Sequence, residues 1–225
     1  MKKDKLIIFD LDGTLYQFRG KSFRGSGLQK RVLENALKYI QSKLQKTLPE
    51  AQKILREIQQ EYGEDISIAL EEKYNCSRKE YFDNVWNIEA KGIIGEAGPV
   101  RKIIERLNKQ YELLLMSDGA EVWIQNVLKE LRIEEFFREK ILSGDGKKRK
   151  SLFSRFDEIS DLYNFSPGNI IVVGDQEKTD IIPAKKCGFK TIFINRQNSK
   201  YADVNIKKIQ EAEWAIKTIF EQDAV

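Results

Sequence analysis

Residues 6–15 read Leu6-Ile7-Ile8-Phe9-Asp10-Leu11-Asp12-Gly13-Thr14-Leu15, an apolar run that stops abruptly at two carboxylates. Four consecutive apolar residues bounded by a Gly turn are the pattern of a strand covered on both faces, which has no solvent side and so loses polar alternation. Asp10 and Asp12 are two apart, so in extended chain their side chains leave the same face. Two like charges at the end of a buried strand are costly unless a cation or a proton relieves them. A metal-assisted reaction site at this strand end is the first functional expectation.

Outward from this segment, similar apolar runs recur at residues 113–116, 170–173 and 191–194, with a weaker one at 140–142. Helical periodicity occupies residues 100–108, 121–131, 152–163 and 181–187. Strands alternating with helices predict an α/β fold, a Rossmann-like doubly wound parallel sheet with right-handed connections and helices on both faces. Ligands of such sheets bind outside the carboxyl ends of the strands, and Asp10, Ser117 and Asp175 each fall just past one.

Residues 16–95 behave differently. Leu28, Val32, Leu33, Ala36, Leu37, Ile40 and Leu44 repeat at helical spacing, as do Ala51, Ile54, Leu55 and Ile58, then residues within 66–70 and 81–88. No strand signal interrupts them. The expectation is a small all-helical cap domain over residues 16–95, inserted after the first strand, with residues 1–15 and 96–225 forming the sheet domain. Its entry, residues 18–26, is rich in Gly and basic residues, and its exit carries Gly92, Gly95, Gly98 and Pro99, so a hinged lid is expected. Arg19, Lys21, Arg24, Phe18 and Phe23 stand where the non-phosphate part of a substrate would lie, or simply form a surface linker. Trp86, Trp123 and Trp214 fall on helical patterns and are read as packing residues.

The 225-residue chain has 41% hydrophobic and 10% aromatic residues, ordinary values for a folded globular protein. Its formal charge of +4 is too small to argue for a nucleic acid polymer as partner. The absence of histidine excludes Ser-His triads, His-ligated zinc and imidazole acid–base catalysis together, leaving carboxylates, Lys, Ser/Thr, Cys or a metal to do the chemistry. Cys76 and Cys187 have no paired-motif spacing and read as reduced structural residues. No apolar stretch approaches the roughly 18 residues of a membrane span, and Asp10 and Asp12 interrupt what would pass for a signal peptide. The expectation is a cytoplasmic protein with no membrane partner.

The Asp-Leu-Asp-Gly-Thr stretch resembles the signature of the haloacid dehalogenase-like phosphohydrolases, and further motifs of that superfamily appear in order. Leu-Leu-Leu-Met-Ser117-Asp118 resembles the second motif, and Lys150 the third. Val-Val-Gly174-Asp175-Gln-Glu-Lys-Thr-Asp180 resembles the fourth. Lys147 and Lys148 compete with Lys150 within Gly-Lys-Lys-Arg-Lys, and the Pro that usually follows this Lys is replaced by Ser151. Asp180 stands five residues beyond Asp175, where many members have four.

The resemblance implies that Asp10 is the nucleophile, forming an aspartyl-phosphate that water then hydrolyses. It implies that Asp12 is general acid and then base. Mg²⁺ would be held by the carboxylates of Asp10 and Asp175 and the backbone carbonyl of Asp12, with Asp180 supporting the site. Ser117, the backbone N–H groups of Leu11 and Asp118, and the Lys150 ammonium would bind the phosphoryl group. A weaker resemblance of the helical insert to pyrimidine 5′-nucleotidase-like members rests on Tyr16, Gly27-Leu28, Arg31, Tyr39-Ile40, Tyr62-Gly63 and Glu80-Tyr81-Phe82.

The expected activity is therefore hydrolysis of a small phosphorylated metabolite, with a nucleoside monophosphate as the narrower suggestion. A phosphoryl-transferring mutase keeps the same motifs. A dehalogenase needs no leaving-group acid, yet Asp12 is present, and a non-catalytic phospho-ligand-binding or interaction protein would be expected to have lost a motif. The sequence does not indicate an oligomeric state.

Overall fold

The computed structural model describes residues 3–19, 23, 26–95, 98–146, 150 and 154–222. Lys21, Arg24, Lys147 and Lys148 lie outside these residues. Among the described residues, six parallel strands form one sheet in the order β3-β2-β1-β4-β5-β6. They are β1 (Leu6–Phe9), β2 (Glu112–Met116), β3 (Ile141–Leu142), β4 (Ile170–Gly174), β5 (Lys190–Ile194) and β6 (Val204–Ile206). The register sets Phe9 beside Leu115 on one side and Val173 on the other. The strand carrying Asp10 is thus flanked by the two strands that end at Ser117 and Asp175.

Alternation along the strands divides the core. Ile7, Phe9, Leu113, Leu115, Ile171, Val173 and Ile192 join one cluster, packed with α5 (Val100–Gln110), α6 (Glu121–Leu131) and α9 (Ala212–Gln222). Leu6, Ile8, Leu114, Met116, Ile170 and Val172 join a second, with α7 (Ser154–Tyr163) and α8 (Ile182–Lys186) on the opposite face. This is the doubly wound arrangement, and it explains why the central strands need apolar residues at every position. The edge strand β6 lacks an expectation from the sequence, because Asn205 interrupts the short run Val204-Asn205-Ile206, and α9 is expected only through the helical pattern around Trp214. Trp214 on α9 is largely exposed, so its expected packing role is corrected: the neighbouring Ala212, Ala215, Ile216, Ile219 and Phe220 join the core instead.

Between β1 and α5 lies the helical insert: α1 (Gly27–Leu44), α2 (Leu48–Tyr62), α3 (Ile66–Tyr74) and α4 (Arg78–Val85). The starts of α1, α2 and α4 each have a chemical cause. The Ser26 hydroxyl accepts from the Gln29 N–H at 3.3 Å, and Ser77 does the same for Glu80. Pro49 occupies the first turn of α2, where the Glu50 carboxylate accepts from the Thr47 N–H at 2.8 Å. Leu28, Val32, Ala36 and Ile40 of α1 meet Ala51, Leu55 and Ile58 of α2 and Tyr81, Phe82 and Val85 of α4 in the insert's interior.

The insert's two connections run side by side. Arg19 N–H donates to the Ile93 carbonyl at 3.1 Å, and Gly95 N–H to the Gln17 carbonyl at 2.7 Å, with Phe18 and Ile94 bridged antiparallel. The buried Arg78 guanidinium of α4 donates to Ser67 Oγ at 3.3 Å and to the Gly146 carbonyl at 3.2 Å, tying the insert to the loop that leads to Lys150. No helix among the described residues is long and apolar enough to cross a membrane.

Leu115 of β2 is fully buried. Leu115→Ala is expected to lower stability by about 2–5 kcal/mol with an unchanged denaturant slope, as measured by urea unfolding, whereas Trp214→Ala should stay within about 0.5 kcal/mol.

Candidate active site

Where β1 ends, the chain turns at once into a single helical turn, with the N–H groups of Thr14 and Leu15 both donating to the Leu11 carbonyl at 3.2 and 3.0 Å. That turn pairs each residue with the one four further on. Thr14 Oγ1 donates to Asp10 Oδ2 at 2.8 Å, the Tyr16 hydroxyl donates to Asp12 Oδ1, and the Gln17 amide donates to the Gly13 carbonyl. Gly13 makes this possible in two ways. Its φ of +89° is a conformation that side chains disfavour, and a Cβ there would stand 2.2 Å from Asp175 Oδ2.

Asp175 follows β4 directly, and Asp180 comes back to it through a five-residue π-helical turn (Glu177–Ile181). Both Asp180 and Ile181 N–H groups donate to the Gln176 carbonyl, at 2.9 and 3.3 Å. The wider turn absorbs the extra residue between Asp175 and Asp180 and returns the Asp180 carboxylate to the strand end. Asp180 Oδ2 accepts from the Gln176 N–H at 3.0 Å. Gly174 is required beneath it, since a Cβ at that position would lie 2.4 Å from the Asp180 carboxyl.

Asp10, Asp175 and Asp180 each present a carboxylate oxygen, all within 4.8 Å of one another. Lys150 reaches into this group from the loop before α7. Its Nζ donates to Asp10 Oδ1 at 2.5 Å and to Asp180 Oδ1 at 2.6 Å, and all three side chains are buried. Its backbone N–H donates to Asp118 Oδ1 at 3.0 Å, which seats the lysine against the segment after β2. Of the three candidate lysines, the described residues include Lys150, and it lies among the carboxylates.

Among the described residues the site sets four carboxyl groups, Asp12 included, against the Lys150 ammonium. Burial pulls the Lys150 pKa down, but the charges of Asp10 and Asp180 outweigh it and raise the net value. Burial, then the charge of Asp10, raises Asp12. Burial, then the charges of Asp10 and Asp180, pushes Asp175 up to about 8. Asp180 is raised by burial and by Asp10 against the opposing pull of Lys150. Asp175 Oδ1 is buried with no hydrogen-bond partner, whereas both oxygens of Asp10 and of Asp180 are engaged. An orphaned, buried carboxylate oxygen beside two other carboxylates is the donor set of a hard divalent cation, and the residues fit one.

Ser117, one residue past β2, lies on the other side of Asp10. Its hydroxyl donates to Asp12 Oδ2 across a long 3.5 Å and accepts from the Gly119 N–H at 3.0 Å. Asp10, Asp12, Ser117, Lys150, Asp175 and Asp180 are thus gathered at the carboxyl end of three adjacent strands. Above them opens a cavity of about 640 Å³, lined by Asp12, Gly13, Asp118 and Asp175 below and by Phe18, Phe23 and Trp86 from the insert side. The Phe23 and Trp86 rings are stacked at 6.0 Å and 8°.

Three contributors escaped the sequence reading. Thr14 and Tyr16 carry a legible signal, namely the i,i+4 relation to Asp10 and Asp12 in a turn that begins where the strand stops. Trp123 carries none: its helical spacing places it in the core, where it does pack, but its indole N–H also donates to Asp12 Oδ1 at 3.1 Å.

Residues 5–188 match the haloacid dehalogenase-like hydrolase family, and the chain belongs to that family. It is an enzyme of the phosphatase kind. It is 26% identical over 227 residues to glyceraldehyde 3-phosphate phosphatase of Pyrococcus furiosus, covering 96% of this chain and 90% of that protein. It is 25% identical over 217 residues to N-acylneuraminate-9-phosphatase of Mus musculus, covering 87% and 84%. A haloacid dehalogenase-type phosphatase from Thermococcus onnurineus shares the fold, with a TM-score of 0.62 and 20% identity over 94% of this chain and 97% of that one.

The raised Asp175 carboxyl links this geometry to stability. Folded Asp175 keeps its proton up to about 8, while the unfolded chain releases it near 4, so stability falls as pH rises through that window. A divalent cation held by these carboxylates would take the place of that proton. Thermal unfolding should therefore show a larger stabilisation by Mg²⁺ near pH 8 than near pH 5, and equal shifts would contradict the arrangement. Gly13→Ala, which drives a methyl group into Asp175, should abolish that stabilisation and lower turnover roughly 10²-fold, since a displacement of about 1 Å costs that much.

Proposed function

We propose that the protein is a Mg²⁺-dependent phosphomonoester hydrolase working through an aspartyl-phosphate on Asp10. The observation that carries this reading is the convergence of Asp10 with Asp175, Asp180 and Lys150 on one strand edge, with an unsatisfied Asp175 oxygen in their midst. The carboxylates of Asp10 and Asp175 and the backbone carbonyl of Asp12 would hold the ion. Asp180, whose two oxygens are taken by Lys150 and the Gln176 N–H, supports the site from behind. When bound, Mg²⁺ supplies the positive charge that lets a carboxylate approach a phosphoryl dianion.

In this reading an Asp10 carboxylate oxygen attacks phosphorus, and the Lys150 ammonium, which holds Asp10 Oδ1, balances charge on the equatorial oxygens. The Ser117 hydroxyl and the backbone N–H groups of Leu11 and Asp118 complete the phosphoryl cradle. Asp12 gives a proton to the departing oxygen and later takes one from the water that cleaves the aspartyl-phosphate. The helical insert, residues 16–95, serves as a cap that excludes water while the ester is bound.

The substrate is a small phosphorylated metabolite, as the names of the two full-length relatives support. Within that class, the stacked Phe23–Trp86 pair over the cavity favours a body with a flat or apolar face, and a nucleoside monophosphate is the narrower candidate.

Phosphate release across sugar phosphates, nucleoside monophosphates and aryl phosphates, with Mg²⁺ and with chelator, tests the reading. Activity is expected only with the ion. Asp10→Asn should abolish it, because an amide neither attacks phosphorus nor carries the charge. Full activity in that variant would remove the nucleophile, and turnover indifferent to the base would remove the nucleotide assignment.

A further inference from the structure

Two buried donors converge on a single oxygen of Asp12. The Tyr16 hydroxyl and the Trp123 indole N–H, the latter at 3.1 Å, both reach Oδ1. The indole N–H can only donate, so Trp123 fixes the direction of this contact, and no proton can sit on Oδ1 facing it. Neither ring is free to turn away. Trp123 is fully buried in α6, and Tyr16 is 4% exposed and braced edge-on by Phe18 with ring centroids 5.2 Å apart. The other oxygen, Oδ2, lies 3.5 Å from Ser117 Oγ and 3.5 Å from where a Cβ on Gly119 would stand. Ser117 belongs to the proposed phosphoryl cradle, so Oδ2 is the oxygen turned towards it.

We propose that Tyr16 and Trp123 are positioning residues that occupy Asp12 Oδ1 and so make Oδ2 the atom that delivers the proton. As the phosphorus–oxygen bond breaks, its electron pair goes to the leaving oxygen, which takes the proton from Oδ2. The Asp12 carboxylate left behind carries its new charge against two donors already in place. No reorganisation is needed at that moment, which is the condition under which hydrogen-bond donors lower a barrier. The inference rests on Asp12 acting as the leaving-group acid. It adds which oxygen acts and which side chains select it.

A purely structural role would weaken all substrates alike, whereas acid positioning matters only when the leaving group needs a proton. The test compares kcat/KM, which covers the steps through leaving-group departure, for an alkyl phosphate such as glycerol phosphate and for 2,4-dinitrophenyl phosphate, whose phenolate leaves unprotonated. Tyr16→Phe keeps the ring against Phe18, and Trp123→Phe keeps an aromatic core residue. Each is expected to lose about 10- to 100-fold on the alkyl ester, the range for a hydrogen bond to a charged group, and under about 3-fold on the aryl ester. Retained aryl-ester turnover also reports that the variant folds. Asp12→Asn should show the same selectivity more strongly. Equal losses on the two esters in Tyr16→Phe, or an unchanged alkyl-ester rate in both variants, would overturn the proposal. Equal losses in Asp12→Asn would instead remove Asp12 as the acid, and with it the basis of the inference.

Discussion

Like-charge crowding at the end of a buried strand is the constraint on which the rest of this structure depends. Asp10, Asp175 and Asp180 converge within 4.8 Å with one ammonium, Lys150, among them. Burial raises the cost of each unneutralised charge, because the surrounding apolar strands offer no water to screen it. The arrangement therefore persists only with protons on some carboxyls or a cation among them. Asp175, whose pKa is pushed up to about 8 by burial and by its two neighbours, is the group on which that choice falls.

The fold supplies what this crowding requires. Apolar residues on both faces of β1, β2 and β4 make the sheet rigid, and parallel register brings three strand ends to one level. Backbone economy does the rest. Gly13 and Gly174 admit the Asp175 and Asp180 carboxyls into space that any Cβ would fill, and the π-helical turn returns Asp180 to the edge it has just left. Above this edge, the insert contributes an aromatic wall of Phe18, Phe23 and Trp86, with Glu64 beside it. Phe18 edge-packs on both Tyr16 and Phe23, so contacts run from the ring that holds Asp12 to the stack with Trp86.

Much of this was legible before any coordinates. The runs at 6–9, 113–116, 170–173 and 191–194 fall within observed strands, because a doubly covered strand must be apolar throughout and a short polar-interrupted one need not be. The same reason hid β6, where Asn205 breaks the apolar run, whereas α9 was legible as the helical pattern around Trp214, whose exposure corrects only its packing role. Lys150 was one of three competing lysines, since spacing along a loop does not say which ammonium turns inward. Its backbone contact with Asp118 and its two buried ion pairs single it out among the described residues.

Local rules, acting within a few residues, determined the strand, the turn and the pair of carboxylates at 10 and 12. Periodicity in turn determined the layered α/β order and the helical insert. These properties need only nearest-neighbour geometry and the demand that apolar faces be covered. What the tertiary structure alone decided are the meetings across more than a hundred residues: Lys150 with Asp10, and the Trp123 indole with the Asp12 oxygen that Tyr16 also holds. Such contacts depend on how whole helices seat against the sheet. No periodicity in the chain records which edge of a buried ring will face a carboxylate.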